Sequence, residues 1–289
     1  VVLCWGFNFV AVKVLQPMMS VEAIALLRFL VMASLLVPIC WARKEPLRWE
    51  RRDMWHILGV GFASMGVYMI LFLEGLERTS AAEGAIVLAT APIMTYLLSC
   101  ALGQEVFRLP ALAGALVAFV GVTIVILGGA AAGHGSLLGN LIVLASSVMW
   151  SVATVMMRPL LARYKPVPLF TMSLLGGFPV MLVYGLPAVL RTDFSGVTQL
   201  GWVMFSQISV LSGVVAFVCF YEGLRQIGAA GATLYQFFVP PTAALAAWLV
   251  MGKALAPVQF IGLVVVLAGV IYSTRARAVA ARRLAAEGS

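Results

Sequence analysis

Charge is what this sequence has least of. Only 10% of its 289 residues are Asp, Glu, Lys or Arg, while 63% are hydrophobic; soluble domains carry about a quarter charged residues. That much apolar surface cannot be hidden from water, which excludes a soluble fold. Histidine occurs only as His56 and His134, and Cys4, Cys40, Cys100 and Cys219 lie singly in apolar runs. No spacing among them suits a metal site, so no metal or cofactor is expected and the cysteines read as small buried hydrophobes. Acids are missing from span interiors: every Asp and Glu falls in a loop or near the end of an apolar run.

What is present is a succession of apolar runs. A membrane-spanning helix needs about 20 residues, so the length accommodates about ten spans with short loops and no separate soluble domain. Spans are expected at approximately 1–16, 21–42, 54–77, 79–102, 109–128, 137–158, 167–190, 198–225, 229–251 and 256–274. The chain begins at a valine in a short first span, so a few preceding residues are expected; nothing there resembles a cleavable signal. Fourteen Lys and Arg fall on one side of this path, from Arg43 to Arg52, at Arg108, from Arg158 to Lys165, at Arg225 and from Arg275 to Arg283. Only Arg78, Arg191 and Lys253 fall on the other. By the positive-inside rule both termini are cytoplasmic. The net charge of +8 is therefore topological, and nucleic acid is not an expected partner.

The stretch from Tyr68 to Gly121 is written a second time between Ala216 and Gly269. Glu74-Gly75-Leu76 recurs as Glu222-Gly223-Leu224, Pro92 as Pro240, Gly114 as Gly262 and Gly121 as Gly269, all at an offset of 148. Two modules follow, residues 1–130 and 131–289. Five spans per module is an odd number, so the second enters the bilayer from the opposite face. The expected fold is an all-α polytopic membrane protein of ten helices in two inverted five-helix repeats. Such halves, with a proline inside matching spans, point to a secondary transporter whose site lies where the repeats meet.

Trp5-Gly6-Phe7-Asn8-Phe9-Val10-Ala11-Val12-Lys13, Leu27-Arg28-Phe29, Thr79-Ser80-Ala81-Ala82 with Ala91-Pro92, and Gly228-Ala229-Ala230 with Pro240-Pro241 resemble the EamA domains of the drug/metabolite transporter superfamily. The resemblance covers essentially the whole chain, one domain per half. It implies ten helices, inverted repeats and export of amino acids or related metabolites, and within the superfamily the chain is similar to YddG-type amino-acid exporters. Two departures stand out. Where such domains carry Gly-Glu after the fourth and ninth spans, this chain has Gly103-Gln104-Glu105 and Gly252-Lys253.

Spacing selects the candidate substrate residues. Tyr68 and Phe72 share one helix face, as do Trp5 and Asn8, and Trp150 and Thr154. These rings and polar groups suit a pocket that stacks against a side chain and hydrogen-bonds its polar end. The alternative for any one ring is an anchor at the membrane interface. Thr90 and Pro92 in one half, and Tyr235, Gln236, Pro240 and Pro241 in the other, surround expected helix breaks. A carbonyl freed there needs protein, water or ligand as partner, and one facing a cavity would suit an ammonium. Arg28 lies about a third of the way into the second span, where it either receives a carboxylate, holds a helix pair or snorkels. Glu74 and Glu222 hold equivalent places near span ends, with Arg78 and Arg225 spaced for ion pairs, and serve as proton carriers or gates.

The expectation is an inner-membrane carrier in a bacterium, the Arg- and Ala-rich composition suiting a GC-rich genome. It exports neutral or zwitterionic metabolites, foremost amino acids including aromatic ones, by alternating access; its partners are the small-molecule substrate and the lipid bilayer. A cationic-drug exporter would want a carboxylate deep in the bilayer, and a sugar-phosphate carrier fixed cations in the late spans; neither is present. A membrane-embedded transferase would need clustered titratable groups, whereas His56 and His134 fall on opposite sides. Monomer and homodimer both stay open, since Gly114, Ala118 and Gly121 suit a contact between copies or within one.

Overall fold

The computed structural model describes residues 1–79, 81–129, 136–251 and 257–287. Ser80, His134, Gly252 and Lys253 lie outside the described residues, as do the side chains of Lys13, Arg282 and Arg283. Every regular element among the described residues is helical. In lipid the backbone polar groups must be satisfied within the segment, and a helix does this without an exposed edge.

The order is α1 (Val2–Leu15), α2 (Val21–Ala42), α3 (Met54–Gly61), α4 (Tyr68–Arg78), α5 (Ala81–Leu88), α6 (Ala91–Ala101), α7 (Leu109–Gly129), α8 (Leu137–Leu161), α9 (Pro166–Arg191), α10 (Gln199–Ser206), α11 (Ala216–Leu234), α12 (Val239–Met251) and α13 (Pro257–Glu287). Wide π-helical turns at Phe62–Val67 and Gln207–Val215 join α3 to α4 and α10 to α11 without a bend out of the span. Short polar residues start several helices. The hydroxyls of Ser20, Ser136 and Thr198 accept hydrogen bonds from the backbone N–H groups of Ala23, Gly139 and Gly201, satisfying donors that a helix N-terminus leaves free. In the loop before α10, the hydroxyl and backbone N–H of Ser195 hold the Asp193 carboxyl below the usual carboxylate range.

Seven helical stretches are long and apolar enough to cross a membrane, and two shorter apolar ones, Val2–Val12 and Ile86–Ala101, accompany them. This is a multi-pass membrane protein. The expected spans differ from these seven for physical reasons. The first is short, the fourth is interrupted between α5 and α6, and the eighth and ninth run together as the 48-residue stretch Gln199–Ala246. That last stretch is not continuous helix. Gly228 has φ 77° and ψ 173°, a conformation essentially confined to glycine, and it turns the chain between two spans in a single residue. The last helix also outruns its expected end and carries the basic tail to Glu287.

Equivalent elements keep one register. Helices α4 and α11, α6 and α12, and α7 and α13 each begin 148 residues apart, and the π-helical turns overlap at that same offset. Helices α7 and α13 share the most extensive contact between elements, and they run antiparallel. A Cβ at Gly121 would lie 2.9 Å from the Gly262 carbonyl oxygen, and one at Gly262 would lie 2.8 Å from the Gly121 carbonyl oxygen. At the other end Gly114 faces Ser273, and a Cβ at Gly269 would lie 2.7 Å from the Gly114 carbonyl oxygen. Side-chain bonds obey the same exchange. Ser273 Oγ donates to the Ala111 carbonyl (2.8 Å) and Gln259 Nε2 to the Val125 carbonyl (3.1 Å). The small-residue face of Gly114, Ala118 and Gly121 is thus occupied within one copy of the chain.

Candidate functional site

Four of the aromatic residues selected by spacing converge. Trp5 on α1 and Trp150 on α8 meet edge to face with centroids 5.9 Å apart. Tyr68, at the start of α4, lies 5.0 Å from Trp150, and Phe72 one turn on stacks with Tyr68 at 5.9 Å. Burial sets Trp150 apart from an interfacial anchor: it is 5% exposed, whereas Trp41 and Trp55 are 72% and 75% exposed. Helix α11 adds two rings that spacing alone had missed. Phe217 and Phe220 lie between 5.3 and 5.9 Å from both Trp5 and Trp150. The repeat carried the signal for one of them, since Phe220 stands 148 residues after Phe72.

Both indoles bond residues of the second half, Trp5 from the first half and Trp150 from within the second. Trp5 Nε1 donates to the Ser212 carbonyl at 3.2 Å, inside the π-helical turn Gln207–Val215. A π turn disturbs the regular ladder and exposes such carbonyls. Ser212 Oγ and Gln207 Nε2 in turn donate to the Cys4 carbonyl at 2.6 and 3.1 Å. Trp150 Nε1 donates to Gln236 Oε1 at 3.3 Å, leaving Gln236 Nε2 buried without a partner. Thr154 is buried beside this group on α8. Tyr235 is not brought in: it is 42% exposed and makes no ring contact with the cluster among the described residues.

The helix breaks form where the prolines suggest, and two carbonyls beside the first break are bonded within the protein. Pro92 sits at the start of α6, and Pro240 and Pro241 at the start of α12, where the missing N–H leaves no bond unmade. The Val87 carbonyl accepts from Thr90 Oγ1 (2.6 Å), from the Thr90 backbone N–H (3.1 Å) and from Ser147 Oγ (3.3 Å). The Ala91 carbonyl accepts from Ser151 Oγ at 3.0 Å. Hydroxyls one turn apart on α8 thus bond one carbonyl on each side of Thr90. In the other half Thr242 Oγ1 ties α12 to α1 through the Val2 carbonyl at 3.2 Å.

Arg28 and Asn8 line a second feature beside the rings. With Phe72, Met32, Met65 and Met69 they border a cavity of about 30 Å³. Arg28 Nε and Asn8 Oδ1 are buried there without a hydrogen-bond partner.

The end-of-span acids are engaged. Glu74 pairs with Arg78 and accepts a hydrogen bond from Tyr184 at 3.1 Å. Glu222 pairs with Arg225 at 2.6 Å and also accepts from Gln226 at 2.6 Å. Glu105, displaced by one position from the family's Gly-Glu, grips Arg277 of α13 through two bonds of 2.6 and 3.1 Å. The preceding Gln104 donates to the Val155 carbonyl at 3.0 Å, so this loop links α8 and α13. Glu74 thus serves as a fixed contact between α4 and α9. Gradient-driven uptake by Glu74→Gln in inverted vesicles is therefore expected at wild-type level. Its loss with exchange intact would make Glu74 the coupling acid.

Comparison with known proteins gives a consistent picture. The chain is 25% identical over 270 residues to the uncharacterized transporter YetK of Bacillus subtilis, covering 92% of this chain and 82% of that one. It is 26% identical to a probable terminal-alkyne amino-acid exporter of Streptantibioticus cattleyicolor, over 95% of this chain and 91% of the relative. It is 24% identical to a probable amino-acid metabolite efflux pump of Salmonella typhimurium, over 93% and 90%. A crystal structure of a protein 22% identical in sequence superposes with a TM-score of 0.79 over 98% of this chain and 95% of the other, which establishes a shared fold. The EamA-like transporter family matches residues 1–127 and again residues 137–275. With a match to each half and helices to cross the bilayer, the chain belongs to the EamA-like transporter family.

Proposed function

We propose that this transporter exports neutral or zwitterionic metabolites, foremost amino acids including aromatic ones, by alternating access across a bacterial inner membrane, with both termini cytoplasmic. The observation that carries the reading is the exchange of contacts between α7 and α13. Gly121 meets Gly262, its partner's equivalent of Gly114, while Gly114 meets Gly269, the equivalent of Gly121. Contacts swapped in this way are the mark of a two-fold axis. Because the two helices are antiparallel, such an axis would lie in the membrane plane, which supports inverted five-helix repeats over 1–130 and 131–289. Ten spans are then the seven long stretches, the two short ones and the division of Gln199–Ala246 at Gly228.

Support for the substrate comes from the site and from the relatives. Rings from both halves meet between the repeats, and Trp5, Asn8, Tyr68, Phe72, Trp150, Thr154 and Gln236 are the residues we assign to substrate. Thr90 and the prolines shape the breaks beside them, and Tyr235 lies at their margin. Two relatives are named for the export of amino acids or their metabolites. A cationic substrate is disfavoured by the arginine beside the rings. The test is uptake into liposomes of a radiolabelled panel of amino acids, quaternary amines and sugar phosphates. Amino acids are expected to accumulate; uptake of amines with none of amino acids would overturn the reading.

A further inference from the structure

A guanidinium inside a span needs a partner, and Arg28 has none. Among the described residues no acid pairs with it and no carbonyl accepts from it; its Nε is buried and unbonded. Glu74, on the facing helix α4, is taken by Arg78 and Tyr184. An arginine that holds two helices together would donate to a carboxylate or carbonyl, and this half-buried one donates to neither among the described residues. A guanidinium inside a span whose buried Nε meets no acceptor points to a site for a ligand.

The rest of the cavity states which ligand. Asn8 Oδ1 is an acceptor without a donor, so the polar end of the pocket offers a forked cation and a neutral acceptor together. A guanidinium matches a carboxylate in a planar, two-bonded fork, and an amide oxygen suits an ammonium N–H. The other walls are apolar: Met32, Met65, Met69, Met181 and Phe72. Phe72 stacks with Tyr68, and Tyr68 touches Trp150, so the aromatic cluster adjoins the cavity through Phe72. Sites enclosing a whole small molecule measure about 300–1,000 Å³, so about 30 Å³ holds only a carboxylate-sized group. Flexible thioether walls are the part that yields to a side chain, and they adapt to many shapes.

We propose that Arg28 and Asn8 form the head-group subsite of this transporter, Arg28 binding the carboxylate and Asn8 the ammonium of an α-amino acid whose apolar side chain displaces the methionine wall. The proposal rests on the carrier reading above and narrows it to ligands with a free carboxylate.

Thermal unfolding of the full chain in detergent, with and without ligand, tests the subsite independently of transport. L-Phenylalanine is expected to stabilise the wild type, and its methyl ester and phenethylamine to fail. Arg28→Met is expected to be at least as stable as wild type without ligand and to bind phenylalanine about 10- to 100-fold more weakly, the worth of a hydrogen-bonded charge. Asn8→Leu should lose phenylalanine but keep 3-phenylpropionate, which has no ammonium. The proposal falls if the ester binds as tightly as the acid, if Arg28→Met keeps its affinity, or if no apolar amino acid stabilises the wild type in the millimolar range. The ester comparison uses the wild type alone, so it stands even where a variant does not fold. Binding that depends on Arg28 without uptake into vesicles would leave the subsite in place and remove the export reading. Uptake that Arg28→Met leaves unchanged would do the opposite.

Discussion

Trp150→Ala is expected to abolish amino-acid uptake and to lower the melting temperature, whereas Trp150→Phe keeps the fold and loses only part of the uptake. The indole touches Trp5, Tyr68, Phe217 and Phe220, with centroids between 5.0 and 5.9 Å, and each such pair contributes about 0.5–1.5 kcal/mol beyond area burial. Truncating a buried Trp to Ala typically costs about 3–5 kcal/mol. The indole N–H bonded to Gln236 adds a link between α8 and the break before α12, which Phe does not replace. Uptake and thermal unfolding measured on both variants separate the roles. Wild-type uptake by Trp150→Ala would remove the cluster from the transport path.

The second large effect belongs to the helix pair. A Cβ at Gly121 would meet the Val266 backbone nitrogen at 2.5 Å, and one at Gly262 the Val125 side chain at 2.7 Å. Neither obstacle can move aside without parting α7 from α13. Gly121→Leu and Gly262→Leu are each expected to destabilise by about 3 kcal/mol or more, the upper range for overpacking, and to give polydisperse protein in detergent. Gly223→Leu is the control, because nothing lies within 4 Å of a Cβ there. The proposed pseudo-two-fold adds a stricter requirement, that the two damaging variants lose similar stability. A large asymmetry between them would count against the repeat.

Residue spacing made much of the aromatic cluster readable. Trp5, Tyr68, Phe72 and Trp150 stand at helical spacing in apolar runs, and all four come together because a helix places residues one turn apart on the same face. Ser147 and Ser151 were not readable as the partners of the Val87 and Ala91 carbonyls. A serine in an apolar helix bonds its own preceding turn as readily as a neighbour, and only the approach of α8 to the break decides which. Tyr235 shows the opposite failure: its neighbour Gln236 turns inward to Trp150, while the 3₁₀ turn Tyr235–Phe238 leaves the tyrosine outward.

The amino-acid order by itself determined that this protein lives in a bilayer and that one segment was copied 148 positions on, because hydropathy and self-similarity are properties of a string. The packing alone decided what the small residues of α7 hold, and that Arg28 stands without a counter-ion among the described residues. Those outcomes depend on which helix lies alongside, and a partner from a distant part of the chain leaves no local trace in either sequence.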